Sequence, residues 1–237
     1  MPGKNYYGVS IGVLMVNTCF RRFVGDIGNA RTWPFPVQYK VVEAARAADM
    51  VALESANLLE PFKAAAAELV DEGVDGIVTT CGFLALYQQE LVEHAGVPVV
   101  TSALLQVPWV RQLLPVAKEV AVLTYNAQAL GPRHLHAVGV TDAVPVFGMP
   151  QDSEFVRSIR DGDDSVPFEV LRGEVLAVVS DYLASHPQTG ALVLECTNLT
   201  PFSSDIQQRF GIPVFDMVTL VNWFHHGLNA TRFPRGD

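Results

Sequence analysis

The chain has 237 residues, 49% hydrophobic and 17% charged, enough apolar surface for a large core and too much for long disordered segments. Its net charge of −9, with no stripe of Lys or Arg, excludes a nucleic-acid surface, and no apolar stretch is long enough to span a membrane. Three cysteines without CxxC spacing argue against a disulfide framework or a zinc site, and MPGKNYYGVSIGVLMVN lacks signal-peptide features, so a cytoplasmic protein with free thiols is expected.

Apolar, β-branched runs alternate with helix-like segments from end to end. Residues 8–16 (GVSIGVLMV) predict a buried strand, followed by a Gly/Pro/Asn-rich stretch, GDIGNARTWPFP. Residues 37–43 predict a second strand, and 54–72 a helix stopped by Gly73. Residues 76–80 (GIVTT) predict a third strand running into Cys81, then a helix over 84–94 and a fourth strand over 96–100 (GVPVV). The order then recurs. Strands are predicted over 120–125 (VAVLTY) and 143–149 (AVPVFGM), a helix over Phe168–Ser185, a strand over 191–195 (ALVLE) leading into Cys196, and a strand over 211–215 (GIPVF). Strands alternating with helices imply an α/β fold with parallel sheets covered by helices.

The recurrence holds residue by residue. Adding 115 to positions in the first block places Cys81 on Cys196, Leu84 on Leu199 and Leu91 on Ile206. The same offset places Gly96, Val97, Pro98 and Val99 on Gly211, Ile212, Pro213 and Val214. At a slightly different offset, IGVLMVN ending at Asn17 resembles VAVLTYN ending at Asn126. Duplication at this scale implies two copies of one supersecondary unit. Two pseudo-symmetric lobes are therefore expected, each a short parallel sheet flanked by helices, with the active site between them. The first would span 1–105 plus 216–237, and the second 106–215.

Ligands of open parallel sheets bind outside the carboxyl ends of the strands. Cys81 and Cys196 both lie there, each just before a predicted helix N-terminus, where free N–H groups and the helix dipole favour negative charge. This setting is expected to lower a thiol pKa below its usual ~8.5. Two lobes related by a pseudo-twofold would put the thiols on opposite faces of one substrate. One thiolate then removes a proton from carbon while the other thiol delivers one. Thr80, Gly82, Thr197 and Asn198 flank the thiols and are candidates to stabilise the developing negative charge. A lone cysteine at a strand end is more often a small core residue, but two at matching ends favour function. Cys19 has no counterpart in the repeat and reads as inert.

Other features carry a plain reading beside a functional one. Arg21, Arg22 or Arg31 could clamp a carboxylate, with solvated surface arginine the preferred reading for each. Asp26 and Asn29 read as turn formers or pocket residues, and the WPFP segment as a lid, a hydrophobic wall or ordinary loop packing. His134 and His136, and the adjacent His225 and His226, have poor spacing for chelation, so no metal site is expected. GxGxxG and GxxxxGK[ST] are absent.

With GIVTTCGF around Cys81 and LVLECTNL around Cys196, the chain resembles the aspartate/glutamate racemase superfamily over nearly its whole length. That group includes amino-acid and hydantoin racemases, maleate isomerases, arylmalonate decarboxylases and an algal-type lyase of dimethylsulfoniopropionate. The resemblance implies Cys81 and Cys196 as an acid–base pair working without pyridoxal phosphate, metal or other cofactor. It also implies that Thr80, Gly82, Thr197 and Asn198 bind a substrate carboxylate. Tyr125 and Asn126, at the strand end that mirrors Asn17, are implied as pocket residues, with Asn17 their counterpart. The chain departs from the racemase pattern in having Gly82-Phe83 rather than Asn-Thr after the first cysteine, and Glu195 rather than Gly before the second. Arylmalonate decarboxylases lack the first cysteine, which counts against that activity. The leading expectation is a racemase or epimerase of a small carboxylate such as an amino acid. The first alternative is a lyase or cis–trans isomerase on the same scaffold, in which the two cysteines contribute unequally. The second is a small-molecule binding protein without catalysis. The partner is a small-molecule carboxylate rather than nucleic acid or membrane, and self-association is left open.

Overall fold

The computed structural model describes residues 7–51 and 57–231. The first six residues of the N-terminal stretch, and residues 54–56 of the helix predicted over 54–72, lie outside the described residues. Among the described residues eight strands form two four-stranded sheets. In the first, β1 (Ile11–Asn17), β2 (Val37–Arg46), β3 (Gly76–Thr79) and β4 (Val99–Val100) lie in the order β2-β1-β3-β4. In the second, β5 (Glu119–Thr124), β6 (Val146–Gly148), β7 (Thr189–Leu194) and β8 (Val214–Phe215) lie in the order β6-β5-β7-β8. All pairings are parallel. The helices are α1 (Ala47–Met50), α2 (Leu59–Asp71), α3 (Gln88–Ala95), α4 (Val107–Leu113), α5 (Pro132–Ala137), α6 (Glu154–Asp161), α7 (Phe168–Ser185), α8 (Ser203–Phe210) and α9 (Met217–Leu228). Among the described residues no helix is long and apolar enough to cross a membrane.

The central strands read as unbroken apolar runs because both of their faces are covered. Every residue of β3, and Ala191, Leu192, Val193 and Leu194 of β7, is buried. The repeat is visible in the register. Ile11 pairs with Gly76, and Val120 with Ala191, which is the pairing that the two sequence offsets require. Gly12 leaves room for Leu69, and Gly76 for the ring of Phe224, so α2 and α9 lie close against the first sheet.

Two predicted elements differ in form. The segments after the cysteines begin as 3-10 turns, Gly82–Tyr87 and Thr197–Phe202, before continuing as α3 and α8. In the second, Pro201 has no N–H to donate within the turn. The strands predicted over 96–100 and 211–215 shrink to two residues each. Gly96 (φ 68°) and Gly211 (φ 67°) are left-handed caps of α3 and α8. Pro98 and Pro213 contribute only carbonyls to the ladder, accepting from Ile77 N at 2.9 Å and Leu192 N at 3.0 Å.

Candidate active site

The carboxyl ends of β3 and β7 meet at the junction of the two sheets. Thr197 Oγ1 donates to the Thr80 carbonyl at 2.6 Å, a buried bond between the two cysteine loops. Glu195 N and Thr80 N donate to Leu123 and Leu14, so each loop leaves its sheet in the same way. Cys81 is half-buried and Cys196 is buried; both open onto one cavity of about 220 Å³. Thr80, Gly82, Tyr125, Asn126, Thr197 and Asn198 line it as well. Asn17 does not: its exposed side chain donates to Glu43 instead. Cys19 is exposed and outside the cavity wall. Asn126 reaches the wall while its Oδ1 accepts from Gln128 N and Ala129 N, ordering the turn after β5.

The two thiols stand in unlike surroundings. At 115 residues' offset, Thr80-Cys81-Gly82-Phe83 corresponds to Glu195-Cys196-Thr197-Asn198. The backbone N–H groups of Phe83 and Leu84 favour the Cys81 thiolate, as the Arg22 guanidinium does more weakly, while the Leu84 N–H donates to the Cys81 carbonyl at 3.1 Å. Cys196 donates its proton to Asn198 Oδ1 at 3.7 Å, has one N–H aimed at it, from Asn198, and faces the charges of Glu195 and Asp26. Contrary to the expectation from helix N-termini, both thiols are shifted upward. Burial, followed by the Glu195 carboxylate, pushes Cys81 up to about 12 and Cys196 well above the usual thiol range. The segments that follow open as 3-10 turns, and their N–H groups offset only part of that cost. Both shifts favour the protonated thiols.

Glu195 is the residue that the sequence reading noted only as a departure. It is completely buried, and Thr124 Oγ1 donates to its Oε2 at 2.5 Å while Oε1 has no hydrogen-bond partner among the described residues. A Cβ on residue 82 would lie 2.2 Å from Oε1 and 2.3 Å from the Glu195 carbonyl, so glycine there is what admits this side chain. Burial raises its carboxyl from 4.5 to about 7, with the Thr124 hydroxyl pulling the other way. A carboxylate next to a strand-end cysteine, inside an otherwise apolar run, is the signal that could have marked it.

The loop that follows β1 builds the opposite wall with Thr18, Phe20 and Arg22. Arg22 lines the cavity and is mostly covered, unlike the exposed Arg21 and Arg31, so the solvated reading fails for it alone. Its Nη1 donates to Asp26 Oδ1 at 2.8 Å and its Nη2 to Thr18 Oγ1 at 2.8 Å. Gly28 leaves room for the arginine stem, since a Cβ there would sit 2.6 Å from its Cδ. Asp26 is buried, accepts from Gly28 N at 2.7 Å as a turn residue does, and also accepts from Asn198 Nδ2 at 2.7 Å. Arg22, Asp26, Asn198 and Cys196 thus form one hydrogen-bonded chain joining the two lobes. Asn29 orders the turn through bonds to Arg22 O and Arg31 N. The WPFP segment is no lid on this cavity: Phe35 stacks on His225 of α9 with ring centroids 3.8 Å apart. The remaining walls are largely apolar, with Phe20, Met50, Phe83 and Ile159 prominent.

No family model matches the chain. An arylmalonate decarboxylase structure, the Gly74Cys mutant in a sulfate-associated form, superposes with a TM-score of 0.65 at 17% identity, covering 96% of this chain and 97% of that one. The aspartate racemase of Picrophilus torridus superposes with a TM-score of 0.61 at 14% identity, covering 96% of each chain. The allantoin racemase of Pseudomonas fluorescens gives 0.57 at 16% identity, covering 97% and 99%. The chain has the aspartate/glutamate racemase fold. Among sequence relatives on this racemase fold, a dimethylsulfoniopropionate lyase of Durusdinium sp. clade D is 29% identical over 250 residues, covering 100% of this chain and 81% of the relative. Dimethylsulfoniopropionate lyases 5 and 3 of Emiliania huxleyi (strain CCMP1516) are each 25% identical over 91% and 90% of this chain. The chain spans only 45% and 58% of those two proteins. These relatives and neighbours are enzymes, so the racemase fold here is a racemase-like or lyase scaffold.

Proposed function

We propose that the chain is a cofactor-independent lyase that deprotonates a small carboxylate next to its carboxyl group and expels a cationic leaving group from the neighbouring carbon. Dimethylsulfoniopropionate is the type of substrate meant. The inequality of the two half-sites carries this reading. A racemase must take and return a proton from opposite faces with comparable groups, whereas an elimination needs one base. Cys81, with two N–H groups and Arg22 favouring its anion, suits the base. Cys196, held as a hydrogen-bond donor to Asn198, suits a proton donor to the substrate's developing enolate. Dimethylsulfoniopropionate lyases among the sequence relatives support the same choice.

In the proposed reaction the substrate carboxylate lies toward Arg22 and Asn198, and the sulfonium toward the aromatic rings of Phe83 and Tyr125, which attract cations, since Arg22 itself covers the Phe20 ring. The Cys81 thiolate removes the α-proton. The electron pair forms the carbon–carbon double bond, the carbon–sulfur bond breaks and the neutral sulfide leaves. Incubation with dimethylsulfoniopropionate should release dimethyl sulfide, detected in the headspace, and acrylate in equal amount. No sulfide at millimolar substrate would overturn the reading. The symmetric placement of the thiols favours amino-acid racemisation as the second reading, which predicts α-hydrogen exchange without a new product.

A further inference from the structure

Glu195 does more than fill the notch beside Gly82. Its Oε1 is buried and unpartnered in the cavity wall, a placement that costs free energy unless another group uses it. The missing Cβ of Gly82 brings that oxygen against the residue next to Cys81, while Glu195 itself is bonded to Cys196. Its charge acts on both thiols. The other groups facing this cluster are the Arg22–Asp26 pair, the Tyr125 phenol and, toward the rim, Arg160. Arg22 is ion-paired with Asp26, and Arg160 with Asp161.

We propose that Glu195 is the proton acceptor for the Cys81 thiol, reached through a solvent molecule of the cavity since the two side chains make no direct hydrogen bond, so that cysteine and carboxylate share one negative charge and the thiolate forms only as the carboxyl becomes neutral. This rests on the reading of Cys81 as the base. The balance is closed: Cys81 S–H and Glu195 carboxylate become thiolate and carboxylic acid. The thiolate takes the substrate α-proton and is a thiol again. Glu195 then passes its proton to water, which accounts for the one proton that elimination from a sulfonium carboxylate releases. No oxidant, metal or second substrate is needed.

The test reads Cys81 without any substrate. Iodoacetamide alkylation is followed by mass spectrometry of the Cys81 peptide between pH 5 and 10, which separates it from exposed Cys19. Two groups sharing one proton titrate as a pair. The wild-type rate should therefore rise to pH ~7, where the carboxyl loses its proton, level off there, and climb again only as pH approaches the thiol's own titration. In Glu195→Gln the plateau should vanish, and the rate should climb about tenfold per pH step up to the thiol's own titration. Thr124→Val, which removes the hydroxyl donor to Oε2, should keep the plateau and move its midpoint upward, and it decides the matter should Glu195→Gln fold poorly. Parallel, featureless rises in wild type and both variants would overturn the proposal. Where wild type also turns over dimethylsulfoniopropionate, Glu195→Gln should lower kcat/KM about 10²-fold or more and remove its acid limb near pH 7. Absence of turnover in wild type sinks the lyase reading and leaves the alkylation result to judge Glu195 alone.

Discussion

Cys81 and Cys196 sit at matching positions of the repeat but differ in nearly every neighbour, and under the proposed elimination that difference gives them separate tasks. Cys81→Ala should lower elimination by about 10³-fold or more, whereas Cys196→Ser, which keeps a proton donor, should cost roughly 10-fold. Equal losses, measured as initial rates, would contradict the division. Asp26 ties Arg22 to Asn198, so Asp26→Ala strands a mostly buried guanidinium and should cost about 3 kcal/mol, read as a lower urea midpoint at unchanged slope. The thiols were legible in the sequence because duplication exposes what two halves share. Glu195 and Arg22 were not, because they are what the halves do not share. Thr80 stands opposite Glu195 in the repeat and Gly82 opposite Thr197, and the burial of Arg22 follows from a loop whose course no periodicity encodes.

Helices and strands were largely readable from apolar runs, and their limits follow from single residues. Prolines 98 and 213 stand just before the short edge strands, and glycines 96 and 211 cap helices rather than start strands. The 3-10 turns after each cysteine were invisible, since residues 82–87 carry an ordinary helical composition. Open space surrounds both capping glycines, so Gly96→Ala and Gly211→Ala should each cost about 1 kcal/mol, from backbone strain alone and by like amounts. Thermal melts showing one costly and one neutral would break the equivalence of the lobes. Gly82→Ala is a different case. Its Cβ meets the Glu195 carbonyl as well as Oε1, so it should cost activity and about 1–3 kcal/mol of stability, and Glu195→Ala should not rescue it.

For the molecule as a whole, the junction of two sheets is held by buried polar bonds and keeps one carboxyl far from water. A group whose folded pKa is raised stabilises the fold most below its unfolded value and loses that contribution as pH rises through the folded one. With Glu195 at about 7 against 4.5, wild-type stability should fall by about 3 kcal/mol between pH 4.5 and 7, a slope that Glu195→Gln should flatten, leaving the same-signed part of Asp216. Two lobes around one cavity were foreseeable from the repeat; that a buried carboxyl stands in its wall was not, because it depends on Gly82 and Glu195 meeting across the junction. The most direct test of the whole account is proton NMR of the enzyme in deuterated water with dimethylsulfoniopropionate and, separately, a panel of amino acids. The account predicts acrylate signals from wild type, none from Cys81→Ala, a reduced rate from Cys196→Ser, and unchanged α-proton signals across the amino acids. Loss of an amino acid's α-proton signal with no new product, abolished equally by changing either cysteine, would contradict it and make the enzyme a two-base racemase.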